Sequence, residues 1–224
     1  MLEKIQSVIF DLDGTLVDSM WLWHDIDVEF LEKRGLALPE TYQRDIEGMS
    51  FTETAVYTKE LFQLPESTEE LKHIWNQMAI EKYTYEVPFK PGAQEFLEYC
   101  KSHGIRVGIA TSNSRELVNA VASALHFWDY IQEIVTACEV ERGKPAPDVY
   151  LEAARRLQAQ PDRCLVFEDV PMGILAGKHA GMQVCAVEDQ FSAAQYEEKK
   201  KLADYYISDY YELLEKLPDG MKRG

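Results

Sequence analysis

Two aspartates one residue apart, followed by a glycine and a threonine, form the stretch of this chain best equipped for chemistry: Asp11-Leu12-Asp13-Gly14-Thr15-Leu16-Val17-Asp18. Residues two apart on an extended chain point to the same side, so Asp11 and Asp13 can face one reaction centre. Carboxylates so placed can divide labour, one attacking phosphorus or binding a metal while the other exchanges a proton with the leaving oxygen. Gly14 permits a sharp turn and close approach of backbone N–H groups to an anion. Three later stretches carry further groups. Thr111-Ser112-Asn113 offers hydroxyls and an amide at the start of a helical segment, a position that favours anions, although taken alone it reads more simply as a helix cap. Gly143-Lys144-Pro145-Ala146-Pro147-Asp148 fixes the backbone around one lysine, which outside such a rigid loop reads as a surface charge. Glu168-Asp169 ends an apolar run; it is either an ordinary turn or, opposite Asp11 and Asp13, a pair suited to a hard oxygen-liganded cation such as Mg2+.

Short apolar runs must position these groups. Ser7 to Phe10, Arg106 to Ala110, Glu133 to Ala137, Arg163 to Phe167 and Met182 to Val187 read as strands, with a shorter one at Tyr205 to Ile207. Amphipathic segments alternate with them: Ala93 to Ser102, Arg115 to Leu125, Asp148 to Gln158, Met172 to Ala180 and a closing helix at Tyr210 to Leu217. This alternation predicts an α/β fold, a mainly parallel sheet with helices on both faces, whose ligands bind beyond the carboxyl ends of the strands. The chemical groups fall at those ends. From Asp18 to Pro88 the rhythm breaks, and helical periodicity dominates around Met20 to Arg34, Thr52 to Phe62 and Thr68 to Tyr85. We therefore expect a helical insert over 18–88, joined through Val87-Pro88-Phe89-Lys90-Pro91-Gly92 to a core made of 1–17 and 89–224. The run Glu197-Glu198-Lys199-Lys200-Lys201 is expected to be a solvated helical face.

Composition narrows the partners. The 224 residues carry 39 acids against 23 bases, a formal charge of −16. Such a chain is repelled by nucleic-acid phosphates and anionic membrane surfaces, so neither is an expected partner. The insert alone holds −9 of that charge. Four scattered cysteines without a C-x-x-C pair argue against a disulfide framework or a zinc site and for a reducing, cytoplasmic location. A monomer is expected.

Taken together, Asp11-x-Asp13-Gly14-Thr15, Thr111, Lys144 and Glu168-Asp169, in this order, resemble the haloacid dehalogenase-like hydrolase superfamily. The resemblance covers nearly the whole chain and is closest to the branch with a helical cap after the first strand, the β-phosphoglucomutase-like and sugar-phosphate phosphatase groups. Their motifs look like GKPAPDVY and VFED here. It implies a Rossmann-like core, Asp11 as a nucleophile that forms an aspartyl-phosphate, and Asp13 as general acid and base. It also implies Mg2+ held by Asp11, the Asp13 main-chain carbonyl and Asp169, with Glu168 supporting from behind. Thr111, Ser112 and Lys144 would bind the phosphoryl oxygens. Charge makes the metal necessary: like charges about 4 Å apart repel by on the order of 4 kcal/mol at an effective dielectric of 20, and four carboxylates face a phosphate dianion. Val170 stands where the family often has serine, which removes any hydroxyl support for the metal at that place.

Asp13 favours phosphoryl transfer over dehalogenation, because a departing alkoxide needs a proton and a halide does not. The choice between phosphatase and mutase turns on the cap. The β-phosphoglucomutases carry a cap histidine and arginine whose positions fall here on Trp23, with His24 next along, and on Phe51. An acidic cap with an apolar residue there suits a small monophosphate ester better than a bisphosphate. The expected function is therefore a Mg2+-dependent phosphatase acting on a small phosphorylated metabolite, with a phosphosugar mutase and a non-catalytic binding module as alternatives. Ser19, Trp23, His24, Met49 and Phe51 are the candidate substrate contacts. Cap packing competes as a reading for Trp23 and Phe51, and a helix-surface position for His24.

Overall fold

A computed structural model describes residues 2–217. Six parallel strands form its sheet: β1 (Ser7–Phe10), β2 (Arg106–Thr111), β3 (Glu133–Thr136), β4 (Cys164–Glu168), β5 (Gln183–Val187) and β6 (Tyr205–Ile207). Their order is β3-β2-β1-β4-β5-β6, so the chain builds outward on one side of β1 and then on the other. Ligand crevices open where strand order reverses in this way, here beside β1. The register puts Phe10 opposite both Ile109 and Phe167, which brings the carboxyl ends of β2, β1 and β4 level with one another.

Successive strand residues point to opposite faces, and both faces are covered. Val8, Phe10, Leu165 and Phe167 join one buried cluster with residues of α5 (Ala93–Ser102), α6 (Arg115–Ala124) and α10 (Tyr210–Leu214). Ile9, Cys164 and Val166 join another with α7 (Asp148–Arg156) and α8 (Pro171–His179). Phe10, immediately before Asp11, stacks on Phe167 with centroids 5.1 Å apart and meets the edge of Phe96 at 6.1 Å. That aromatic floor fixes where the first aspartate emerges.

Between β1 and α5 the chain is helical: α1 (Met20–Glu32), α2 (Tyr42–Asp45), α3 (Phe51–Phe62) and α4 (Thr68–Tyr85), with no strand among them. Ser50 with Glu53 and Ser67 with Glu70 form capping boxes that start α3 and α4. Leu71, Trp75, Ala79 and Tyr83 recur every fourth residue along α4 and make its buried stripe. Phe30 and Phe51 pack on Trp75 with centroids 5.6 and 5.8 Å away. The α2 turn and several 3-10 turns were not foreseen, being too short to carry a periodic signal.

One expectation is corrected. The run Glu197 to Lys201 lies in α9 (Tyr196–Leu202), but Lys199 is fully buried rather than solvated. Its Nζ donates to Ser192 Oγ at 2.8 Å and to the Val187 carbonyl at 3.3 Å. Burial lowers its pKa against the opposing pull of Asp169, Asp189 and Glu188. A run of five charges shows no periodicity, so nothing in it singles out the one residue whose helical angle turns it inward. The four cysteines are all free, and no helix among the described residues is long and apolar enough to cross a membrane. The expected core range extends over Met1 and 218–224, which lie outside the described residues.

Candidate active site

The turn after β1 is shaped by Gly14. Its φ is +77°, and a Cβ there would lie 2.5 Å from Asp169 Oδ2, so only glycine lets this loop close on the end of β4. The turn is held by Leu16 and Val17 N–H groups donating to the Leu12 carbonyl, and by Gly14 N–H donating to the Val17 carbonyl. Thr15 Oγ1 donates to Asp169 Oδ1 at 3.0 Å. Backbone turn and acidic pair are thus locked to each other.

Asp11, Glu168 and Asp169 are all buried, and each offers a carboxylate oxygen within 4.8 Å of the others. Lys144 Nζ bridges two of them, donating at 2.6 Å to Asp11 Oδ1 and at 2.6 Å to Glu168 Oε1. Tyr150 donates to the same Glu168 oxygen at 2.6 Å, while Glu168 Oε2 accepts the Asp169 N–H. Glu168 is accommodated because Gly173 faces it; a Cβ on Gly173 would overlap the carboxylate at 1.9 Å. Burial pushes the Asp11 carboxyl up to about 8, with Lys144 opposing and Glu168 adding to the rise. Burial likewise holds Asp169 well above the usual carboxylate range, and Glu168, Asp11 and Asp189 repel its charge further. Burial works against the Lys144 ammonium, but Asp11 and Glu168 outweigh it and keep its pKa above the ordinary value.

Asp13 sits apart, outside that acidic group. Ser19 Oγ donates to its Oδ1 at 2.6 Å, Asn113 Nδ2 donates to its Oδ2 at 3.0 Å, and the Tyr83 hydroxyl also donates to Oδ1. Burial raises its pKa while these three bonds resist the rise. Trp23 Nε1 donates to Tyr83 at 2.9 Å, so a chain of bonds runs from the helical segment to Asp13.

These groups open on a cavity of about 510 Å³ between the sheet end and helices α1–α4. Asp11, Asp13, Thr111, Ser112, Lys144, Glu168 and Asp169 line it, as do Trp23, His24, Met49 and Phe51. Ser19 does not; it is fully buried with its hydroxyl on Asp13. Trp23 and Phe51 line the cavity and also pack within the helical segment, their centroids 6.1 Å apart. Thr111 Oγ1 accepts the Asn113 N–H at 3.0 Å, and the Ser112 carbonyl accepts the Phe51 N–H at 2.9 Å, tying β2 to the start of α3.

Sequence reasoning assigned no role to Tyr83, Tyr150, Ser192 or Lys199, and Asn113 entered only as part of a possible cap. Tyr150 lay within the quoted GKPAPDVY stretch, and Tyr83 ends the every-fourth-residue stripe of α4 with a polar tip; either could have been flagged. Ser192 Oγ donates to the Asp169 carbonyl at 2.8 Å, with Lys199 behind it, and no motif announced that pair.

The donor set fits a hard divalent cation: only oxygen atoms are offered, and among the described residues Lys144 is the one ammonium bonded to these acids. Asp11 and Asp169 would face it, with Glu168 supporting from behind, its oxygens already engaged by Lys144, Tyr150 and the Asp169 N–H.

The architecture is shared. At 23% identity and a TM-score of 0.79, the crystal structure of CbbY from Rhodobacter sphaeroides in complex with phosphate covers 93% of this chain, which covers 96% of it. Among curated proteins, the bifunctional riboflavin kinase/FMN phosphatase of Arabidopsis thaliana is 35% identical over 188 residues, 83% of this chain. This chain spans about half of that relative's length, 49%. The phosphorylated carbohydrates phosphatase of Thermotoga maritima is 30% identical over 179 residues, 80% of this chain and 83% of that one. A family model described as haloacid dehalogenase-like hydrolase matches residues 8–187, which include every group of the acidic centre. With its sheet order, its strand-end acids and this match, the chain belongs to the haloacid dehalogenase-like hydrolases.

Proposed function

We propose that the protein is a Mg2+-dependent phosphatase of small phosphomonoesters, sugar phosphates or similar metabolites, working through an aspartyl-phosphate on Asp11. The observation that carries the reading is the different surroundings of the two aspartates. Asp11 is paired with an ammonium and faces the acidic centre, while Asp13 is held by neutral donors at the mouth of the helical segment.

Asp11 attacks phosphorus, the ester P–O bond breaks, and Asp13 gives its proton to the departing alkoxide oxygen. Asp13 then takes a proton from the water that attacks the aspartyl-phosphate, which returns Asp11 and releases phosphate. Burial raises the Asp13 pKa, which favours its carrying the proton the first step needs. Lys144, Thr111 and Ser112 bind the phosphoryl oxygens, and Lys144 also draws charge from Asp11. When bound, Mg2+ supplies positive charge to the phosphoryl oxygens and compensates the repulsion among Asp11, Glu168 and Asp169. Ser192 and Lys199 orient Asp169 through its carbonyl.

Residues 18–88 act as a cap over a core of 1–17 and 89–224. Trp23, His24, Met49 and Phe51 face the substrate, whereas Ser19 acts by orienting Asp13. A mutase finds one feature in its favour, Arg44 on the cavity wall, but Arg44 is exposed and Phe51 occupies the place where that chemistry wants an arginine.

Hydrolysis of p-nitrophenyl phosphate with Mg2+ tests the reading. Wild type should turn over and Asp11→Asn should lose at least about a thousand-fold in kcat, as expected when the nucleophile of covalent catalysis is removed. Equal activity of the two, or activity unchanged in excess chelator, would overturn it.

A further inference from the structure

Away from the aspartates of the sheet end, helix α1 sends another buried acid to the same cavity. Asp27 is only 9% exposed and lines the cavity wall. Gln43 Nε2, in α2, donates to its Oδ2 at 2.6 Å. No hydrogen bond from a described side chain reaches Oδ1, and no described lysine or arginine pairs with the carboxyl. Burial pushes it up to about 7, with the Gln43 bond pulling the other way.

The neighbouring charges on this wall are differently placed. Glu47 is engaged on both oxygens, by the Met172 N–H at 3.3 Å and by Gln195 Nε2 at 2.6 Å. Glu40 and Arg44 are exposed, where water and salt screen them. Asp27 is thus the buried carboxyl of the α1–α4 wall among the described residues, and above about pH 7 its buried charge. A buried carboxyl with a free oxygen is costly until a donor meets it, and an anion placed beside it is repelled with little screening.

We propose that Asp27, oriented by Gln43, is a specificity-determining subsite that binds the end of the substrate remote from its phosphate through a hydroxyl or ammonium donor and rejects substrates with a second anion there. This rests on the phosphatase reading and sharpens it from phosphomonoesters in general to those with a donor-bearing, non-anionic far end. A carboxylate accepting from hydroxyl groups forms charge-assisted bonds, which are the stronger class.

The test uses three substrates matched in chain length: sorbitol 6-phosphate, 1-amino-1-deoxysorbitol 6-phosphate and 6-phosphogluconate. They end in a hydroxyl, an ammonium and a carboxylate. With Mg2+ at pH 8.5, above the value of about 7 to which burial pushes Asp27 and where its carboxylate is charged, wild type should favour the first two over the third in kcat/KM by about ten-fold or more, the scale of one charged hydrogen bond. In Asp27→Asn this preference should shrink to about two-fold or less, since the amide repels no anion. Gln43→Leu should weaken sorbitol 6-phosphate several-fold, chiefly through KM, while still rejecting 6-phosphogluconate. The relative rates of the hydroxyl and ammonium substrates then distinguish the two donor sources.

A ratio unchanged by Asp27→Asn overturns the subsite. So does a wild-type preference for 6-phosphogluconate or fructose 1,6-bisphosphate that Arg44→Ala removes. If Asp27→Asn lacks a cooperative thermal transition, Gln43→Leu decides, and unchanged kinetics on sorbitol 6-phosphate overturn the proposal. If wild type is inert even on p-nitrophenyl phosphate, the phosphatase reading fails separately. Calorimetric affinities for sorbitol 6-phosphate and 6-phosphogluconate then read the same discrimination, and equal affinities overturn it.

Discussion

Gly14 shows how much of this site depends on one missing side chain. A methyl group there meets Asp169 Oδ2 at 2.5 Å on a backbone with φ of +77°. Gly14→Ala should therefore lose about 1–3 kcal/mol to backbone strain, with further loss from the displaced Asp169. Urea unfolding should register the destabilisation and steady-state assay the loss of Mg2+-supported hydrolysis; a variant matching wild type in both would contradict the account. Asp27 allows a different kind of prediction. Burial pushes its carboxyl up to about 7 in the folded chain from an ordinary value of 3.8. The folded form thus keeps a proton that the unfolded form releases, so the group's contribution to stability is fullest below the unfolded value and is lost as pH rises towards the folded one. Asp27→Asn does not titrate. Its stability relative to wild type should grow between pH 4 and pH 8, and unfolding curves at several pH values read that difference free of groups common to both proteins. A constant difference would show that Asp27 is not held as described.

At the scale of elements, helix α4 links the packing of the helical segment to Asp13. Its buried stripe of Leu71, Trp75 and Ala79 ends in Tyr83, whose hydroxyl donates to Asp13 and accepts from Trp23 and Asn113. The helix therefore delivers a hydrogen bond to a carboxylate of the core. Tyr83→Phe keeps the ring packing and removes that bond, and kcat should fall by about ten-fold, the scale of a hydrogen bond to a charged group. KM should change less, because Tyr83 is not among the residues lining the cavity. Stopped-flow and steady-state kinetics separate the two; a fall in KM binding alone with kcat intact would speak against the role. The elements themselves were largely legible. Strands and helices emerged within one or two residues of their expected bounds, such as Thr68 to Tyr85, which matches α4 in full, except the closing helix, expected to Leu217 but ending at Leu214. The four-residue α2 has no room for a period, yet it supplies Gln43 to Asp27.

For the whole molecule, the buried acids would make the proposed metal binding and folding one problem. Asp11, Glu168 and Asp169 are packed together with one lysine, and burial raises Asp11 and Asp169 above the usual carboxylate range. A cation that binds only the folded form stabilises it by about 2.7 kcal/mol at a hundred times its Kd. Thermal unfolding should therefore shift upward by several degrees in saturating Mg2+. Asp169→Asn should abolish most of the shift and gain stability in the absence of metal, since it removes a buried repelled charge. A Tm indifferent to Mg2+ in wild type would refute the metal site.

What the sequence determined alone was the chemistry available and the architecture that carries it. Asp11, Asp13, Lys144 and Glu168-Asp169 stand where apolar runs end, and alternating strands and helices predict the sheet beneath them, because local periodicity and turn residues are written in neighbouring positions. Only the tertiary structure decided which groups meet. The pairing of β1 with β4 sets Asp11 beside Glu168, and the loop between β3 and α7 brings Lys144, 133 and 24 positions away from them, between the two. Folding also turned Ser19 from the cavity to Asp13, buried Lys199 behind Ser192 and Asp169, and set Asp27 opposite Gln43. Such pairings depend on burial and on the angle at which one element crosses another, quantities that belong to the packed chain and have no signature within any single segment.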